Sequence, residues 1–223
     1  IRNNVAALDV RTGLAIDWNP NAAGAFAEVK SLAMAGPRVY VGGHFSSIAG
    51  VERSNIAALD ATTGAAFPWN PSADASVNAL LVSGGGVIAG GEFTRISGQP
   101  RNCLAMLDAN TALPSAWNPS AGLTAGGTPF VSALVARGNT ILVGGYYQLI
   151  GGQSRNNISA VELETGLVTP WNPDADFKVN ALALSDSIVY AGGAFQTMGN
   201  QSLRNLAALD STTGRPTAWQ PAV

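Results

Sequence analysis

Charge is scarce in this sequence. Only 12% of its 223 residues are Asp, Glu, Lys or Arg, against roughly 25% in ordinary soluble proteins. Lys+Arg 12 against Asp+Glu 14 leaves a formal charge of −2, and lysine occurs only at Lys30 and Lys178. Nothing here makes the clustered basic face that a nucleic-acid partner requires. A single cysteine, Cys103, excludes an internal disulfide framework and any multi-cysteine zinc or iron–sulfur site. A single histidine, His44, excludes a multi-histidine metal centre. No apolar run reaches the ~18 residues of a membrane helix, so no membrane insertion by a helix is expected. The chain opens IRNNVAALD, without the basic-then-apolar start of a signal peptide, which leaves the compartment open. Nor does any stretch of 11 or more residues hold a 3.6-residue period, so helix should be near absent.

What is present is repetition. The string AALD or a variant ends at Asp9, Asp60, Asp108, Glu162 and Asp210. Trp-Asn-Pro follows at Trp18, Trp69, Trp117 and Trp171, and Trp-Gln-Pro at Trp219. Both series advance by 51, 48, 54 and 48 residues. A glycine pair recurs at Gly42-Gly43, Gly90-Gly91, Gly144-Gly145 and Gly192-Gly193.

Each unit divides into four short apolar segments. In the second full unit these are VNALLV (77–82), GVIAGGEF (86–93), CLAMLD (103–108) and the stretch entering Trp117. Their length and β-branched content are those of strands. In DATTG and DSTTG, Asp accepts a backbone N–H in an Asx-turn while Gly supplies a positive φ. The Pro of WNP ends the strand before it. Four strands in about 50 residues, repeated, is the pattern of a β-propeller blade. The expected fold is therefore all-β: a single propeller domain over 1–223, with blades at 29–71, 77–119, 131–173 and 179–221. Residues 1–20 supply only the outer half of another blade, giving about four and a half. An unpaired half blade exposes a strand edge, so a longer protein or another chain is expected to complete it.

The unit quoted from GGHFSSIAGVERSNIAALDATTGAAFPWNPSADASVNAL (42–80) and GGYYQLIGGQSRNNISAVELETGLVTPWNPDADFKVNAL (144–182) resembles the bacterial delta-60 repeat. It is also similar to a unit of fungal cortical marker proteins. The delta-60 resemblance implies a propeller of a secreted or cell-surface protein without established catalytic residues. A narrower likeness, ALDATTGxxxxW, looks like the docking repeat of pyrroloquinoline-quinone propellers. That family adds a vicinal cysteine pair, which one cysteine forbids, and its catalytic and calcium-ligating acids match no position here. Two departures from the repeat stand out. Cys103 replaces the Asn of the other units (Asn4, Asn55, Asn157, Asn205), and Ala112 replaces the turn Gly, which should make that turn less regular.

Residues fixed in every unit serve the blade. The five Trp are read as inter-blade core, the periodic Asn as backbone clamps, and Arg2, Arg53, Arg101 and Arg155 as partners of acidic residues in neighbouring units. Asp74, Asp174 and Asp176 offer calcium candidates in the loops after WNP; no other cofactor is expected. Asn157-Ile158-Ser159 and Asn200-Gln201-Ser202 match the glycosylation acceptor pattern. Positions that vary between units are free for function. The residue after the Gly pair is His44, Glu92, Tyr146 or Ala194, and the loop after WNP lengthens at 120–130. His44, Glu92, Tyr146 and Tyr147 are thus the candidate contacts for a protein or glycan partner on one loop face. The expected role is a non-catalytic binding or scaffold module, extracellular or on the cell surface. Self-association through open blade edges into an oligomer or filament is one rival; a quinoprotein-type enzyme is another.

Overall fold

The computed structural model describes residues 2–219; Ile1 of the half unit, and Gln220 and Pro221 of the last one, lie outside them. Each complete repeat forms an antiparallel sheet with three full strands, and no helix occurs among the described residues. In the first unit Arg38–His44 lies between Glu28–Ala35 and Ile56–Asp60. The second unit places Gly86–Gly91 between Val77–Ser83 and Leu104–Asp108. The third has Phe130–Arg137, Thr140–Tyr146 and Ile158–Glu162, and the fourth Val179–Ser185, Ile188–Gly193 and Leu206–Asp210. In the first three units the middle and third strands are buried almost continuously, as at Ile56–Leu59. Both of their faces pack against other units, which explains why they lack an apolar–polar alternation.

A fourth full strand is expected in each unit and is not formed. It is reduced to a single bridge: Leu59–Ala66, Leu107–Pro114, Val161–Val168 and Leu209–Pro216. The half unit has the same single bridge, Leu8–Ala15, without a proline; in the complete units proline adds to the interruption. Pro68, Pro114, Pro170 and Pro216 stand in this segment of the four units, and a residue without a backbone N–H cannot extend the ladder.

Four apolar clusters form the core, one at each seam between successive units. The glycine pair makes the seams close. A Cβ on Gly42 would lie 2.8 Å from Val77 Cγ1, one on Gly90 2.5 Å from Val131 Cγ1, and one on Gly144 2.9 Å from Val179 Cγ1. The first glycine of the first three pairs therefore admits a valine of the next unit. The second faces its own sheet, where a bulge between Val29 and Ser31 pushes the Glu28 carbonyl into the space that a Cβ on Gly43 would need. One glycine serves the seam and the other the bulge.

Trp18, Trp69, Trp117 and Trp171 are buried in these seams, as expected. Trp219 departs from that expectation at 43% exposure: among the described residues no further unit packs over it.

Candidate functional site

The connection between middle and third strands carries a small hairpin, Ser47–Ile48 with Val51–Glu52 in the first unit. The preceding unit's loop after its Trp pairs with this hairpin: Ala23 with Ser47, Ala73 with Ile96, Ala121 with Ile150, Ala175 with Met198. Both loop sets thus lie at one end of the sheets and interlock across the seams. The periodic Asn clamps them from below. Asn55 accepts from the Phe45 N–H at 3.1 Å and donates to the Ala73 carbonyl at 2.9 Å. Asn157 repeats this with Tyr147 and Ala175. All four Asn hold φ of 64–66°, a left-handed conformation that Asn tolerates.

Three loop aspartates brace the same face. Asp74 accepts from the Thr94 and Arg95 N–H groups at 2.9 and 3.0 Å and from the Thr94 hydroxyl at 2.6 Å. Burial raises its pKa, but the Thr94 and Arg95 bonds outweigh it and hold the carboxyl below its ordinary value. Asp176 accepts from the Gln196 N–H and Asp174 from Asn156 Nδ2, each at 2.8 Å. The calcium candidates therefore stay apart, one in the loop after Trp69 and two in the loop after Trp171. No group of three His, Cys, Asp or Glu side chains placed to hold a metal ion occurs among the described residues.

Of the predicted contacts, three reach this end of the molecule. His44 is exposed and lines a cleft of about 750 Å³, together with Ser46, Ser54, Asn70, Asp74 and Arg95. Half-buried Glu92 lies 4.0 Å from Lys30 Nζ, which is 3.9 Å from Glu28. Asn78 Nδ2 donates to Glu92 at 3.4 Å. Half-buried Tyr146 packs between Phe130 and Phe177, with ring centroids 5.8 and 5.6 Å away. Tyr147 is withdrawn from the set. It is fully buried, donating to the Val143 carbonyl at 2.9 Å and meeting Ser159 Oγ at 2.8 Å. It takes the core position that Phe45, Phe93 and Phe195 hold in the other units.

Sequence reasoning missed Glu28, Lys30 and Phe177, and reached Phe130 only as the end of the 120–130 loop. The signal was available. The residue before each Val-x-x-Leu reads Glu28, Ser76, Phe130 and Lys178, and it faces the end of the middle strand across the sheet, as Glu28 does His44 and Phe130 does Tyr146.

The arginines correct a further expectation. They bond carbonyls within their own unit: Arg53 to Phe67, Arg101 to Ser115 and Arg155 to Thr169, at 2.9, 2.7 and 3.1 Å. Arg2 likewise donates to the Ile16 carbonyl. Each ties the short fourth segment where the ladder has stopped. Ala112, expected to loosen its turn, keeps φ of 63° and donates to the Asp108 carbonyl at 3.0 Å, so that turn is regular.

No protein-family model matches the sequence, and no curated protein matches it. Solved structures do. The computationally designed Ika4 protein is 16% identical with a TM-score of 0.54, over 84% of this chain and 93% of that one. BamB from Moraxella catarrhalis is 23% identical with a TM-score of 0.52, over 85% of this chain and 48% of BamB. The Pan2 WD40 domain of Neurospora crassa is 14% identical with a TM-score of 0.55, over 87% of this chain and 50% of that domain. This chain thus spans about half of the last two. At these identities the likeness concerns the fold, which is all-β and of the propeller kind.

Proposed function

We propose that this propeller is a non-catalytic binding and scaffold module of a secreted or cell-surface protein, built from delta-60-like repeats. Each sheet with its reduced fourth segment is read as a blade, giving four blades and an outer half. The partner is a protein that meets the end carrying His44, Glu92 and Tyr146.

One observation carries this reading. At equivalent places the three successive units hold Glu28, His44 and Ala75; then Ser76, Glu92 and Pro129; then Phe130, Tyr146 and Phe177. The sheets and seams repeat around these changes, so the scaffold does not require aromatics there. The third unit nevertheless groups three, with Phe177 at 44% exposure, and Asn78 Nδ2 links Glu92 of the charged group to the Val131 carbonyl beside Phe130. Aromatic anchors beside a polar rim are the makings of a protein interface. Extracellular placement draws on the repeat resemblance and the scarcity of lysine.

The test compares wild type with a Glu92→Lys, Tyr146→Ala, Phe177→Ser variant in photo-crosslinking to extracts of the source organism, alongside a glycan array. Wild type should crosslink a discrete protein that the variant loses at unchanged Tm. An identical crosslinking pattern overturns the reading, and array binding lost with the same substitutions would replace protein by glycan.

A further inference from the structure

We infer that the cleft beside His44 is a binding site for an acidic sugar, a saccharide that carries a carboxylate as well as hydroxyls. The site goes beyond the protein partner proposed above and does not rest on it, since the aromatic group around Tyr146 takes no part.

The cleft encloses about 750 Å³, within the range of small-ligand sites. It lies where the loop after Trp69 meets the hairpins of the first two units, at 47–52 and 95–100. Two differences from other units shape it. In the third unit Asn156 Nδ2 donates to Asp174 Oδ1 at 2.8 Å, tying the segment before the third strand to the loop after Trp171. In the half unit Asn21 Oδ1 accepts the Asn3 N–H at 2.9 Å. The first unit holds Ser54 and Ser72 at these two places. Each serine side chain is shorter than its third-unit counterpart, and both line the cleft.

The cleft offers groups suited to hydroxyls. Among the described residues the side chains of His44, Ser54, Asn70 and Ser72 bond no other residue. Hydroxyl, amide and neutral imidazole groups each both donate and accept, as the hydroxyls of a sugar do.

Arg95 supplies the charge. Its counterparts in the other units are Ser47, Leu149 and Thr197. Its Nη2 donates to the Gly98 carbonyl at 2.6 Å, which holds the guanidinium at the cleft wall. Nε and Nη1 make no bond among the described residues, and paired guanidinium donors of this kind are what a carboxylate takes. Asp74 also lines the cleft, but its carboxylate already accepts three bonds, from the Thr94 and Arg95 N–H groups and the Thr94 hydroxyl. No ion pair joins it to the Arg95 side chain among the described residues. One free cation among hydroxyl-binding groups selects a sugar acid over a neutral sugar.

The test titrates the 223-residue chain with trigalacturonate and with its methyl ester, followed by amide chemical shifts and calorimetry. The acid should bind saturably, roughly tenfold or more tighter than the ester, and move the amides of Ser54, Ser72 and Arg95. Arg95→Gln should abolish the preference for the acid. Ser54→Asn with Ser72→Asp copies the tie of the third unit and should abolish binding at unchanged Tm; φ is 46° at Ser72 and 56° at Asp174, so aspartate fits the backbone there. The Glu92→Lys, Tyr146→Ala, Phe177→Ser variant, which tests the protein partner, should bind the acid as wild type does. An acid that fails to bind, binds no tighter than its ester, or is indifferent to both cleft variants overturns the inference. So does triglutamate moving the same amides where the sugar acid does not, which would make the ligand an acidic peptide.

Discussion

Trp69 Nε1 donates to the main-chain carbonyl of Asp108 at 3.0 Å, across the seam between two successive units. The same bond joins Trp18 to Asp60, Trp117 to Glu162 and Trp171 to Asp210, at 2.9, 2.9 and 3.3 Å. Because the acceptor belongs to the main chain, Glu162 replaces Asp without loss of the bond. The indole fills the seam and satisfies its one donor there, the condition for burying Trp.

Trp69→Ala should therefore cost about 3–5 kcal/mol, the range for truncating a buried aromatic. Trp219→Ala should cost no more than about 1 kcal/mol, since much of that side chain is already in water. Urea unfolding of the two variants checks the contrast.

A second contrast concerns the seam glycines. Gly90→Ala places a methyl against Val131 and should destabilise by about 1–3 kcal/mol, the usual cost of overpacking. Gly192→Ala meets nothing nearer than 3.9 Å among the described residues and should change the stability of this chain by less than about 0.5 kcal/mol. Equal effects at the two positions would contradict this account of the glycine pair.

Acid should act through the turns. The Thr63 N–H, then the Thr63 hydroxyl, bond the Asp60 carboxylate and lower its pKa from 3.8; Asp9, Asp108 and Asp210 are lowered likewise by Thr12, Thr111 and Thr213. A carboxylate depressed in the folded state contributes fully above the unfolded value of 3.8. That contribution fades as pH falls through the folded pKa. Stability should thus hold to about pH 4 and decline below it, less steeply in Thr63→Val. These carboxylates are exposed, so added salt should shrink the slope. Thermal melts between pH 2 and 6 test it.

Cys103 should be unreactive in the folded protein. Burial, then the charge of Glu92, pushes its thiol pKa to about 12, and Sγ donates to the Pro129 carbonyl at 3.3 Å. A thiol reagent at pH 8 should modify it only as the chain unfolds. The residue also holds φ of 64° in the Asn position. Cys103→Asn, supplying the clamp donor to the Ala121 carbonyl, should raise stability by about 1 kcal/mol, read as a higher Tm.

The repeat made much of this legible. The AALD and WNP spacings gave the units, and the strands at 77–83, 86–91 and 104–108 fall where their residues place them. The Asn clamps and the buried Trp seams followed from periodicity, since a residue kept in every copy answers to the copy's own geometry. A partner's residues need not repeat, and only the tertiary structure sorted them. Tyr146 and Tyr147 are neighbours in sequence, yet strand alternation turns one toward Phe177 and the other into the core. The arginines looked like seam ion pairs until the fold showed the short fourth segment leaving its carbonyls to be bonded. Sequence set what each unit needs locally; whether a given side chain meets another unit or water depends on what stacks beside it. Leu32 and Leu80 hold the same repeat position, yet Leu32 is 52% and Leu80 8% exposed, because among the described residues only Leu80 has a preceding middle strand over it.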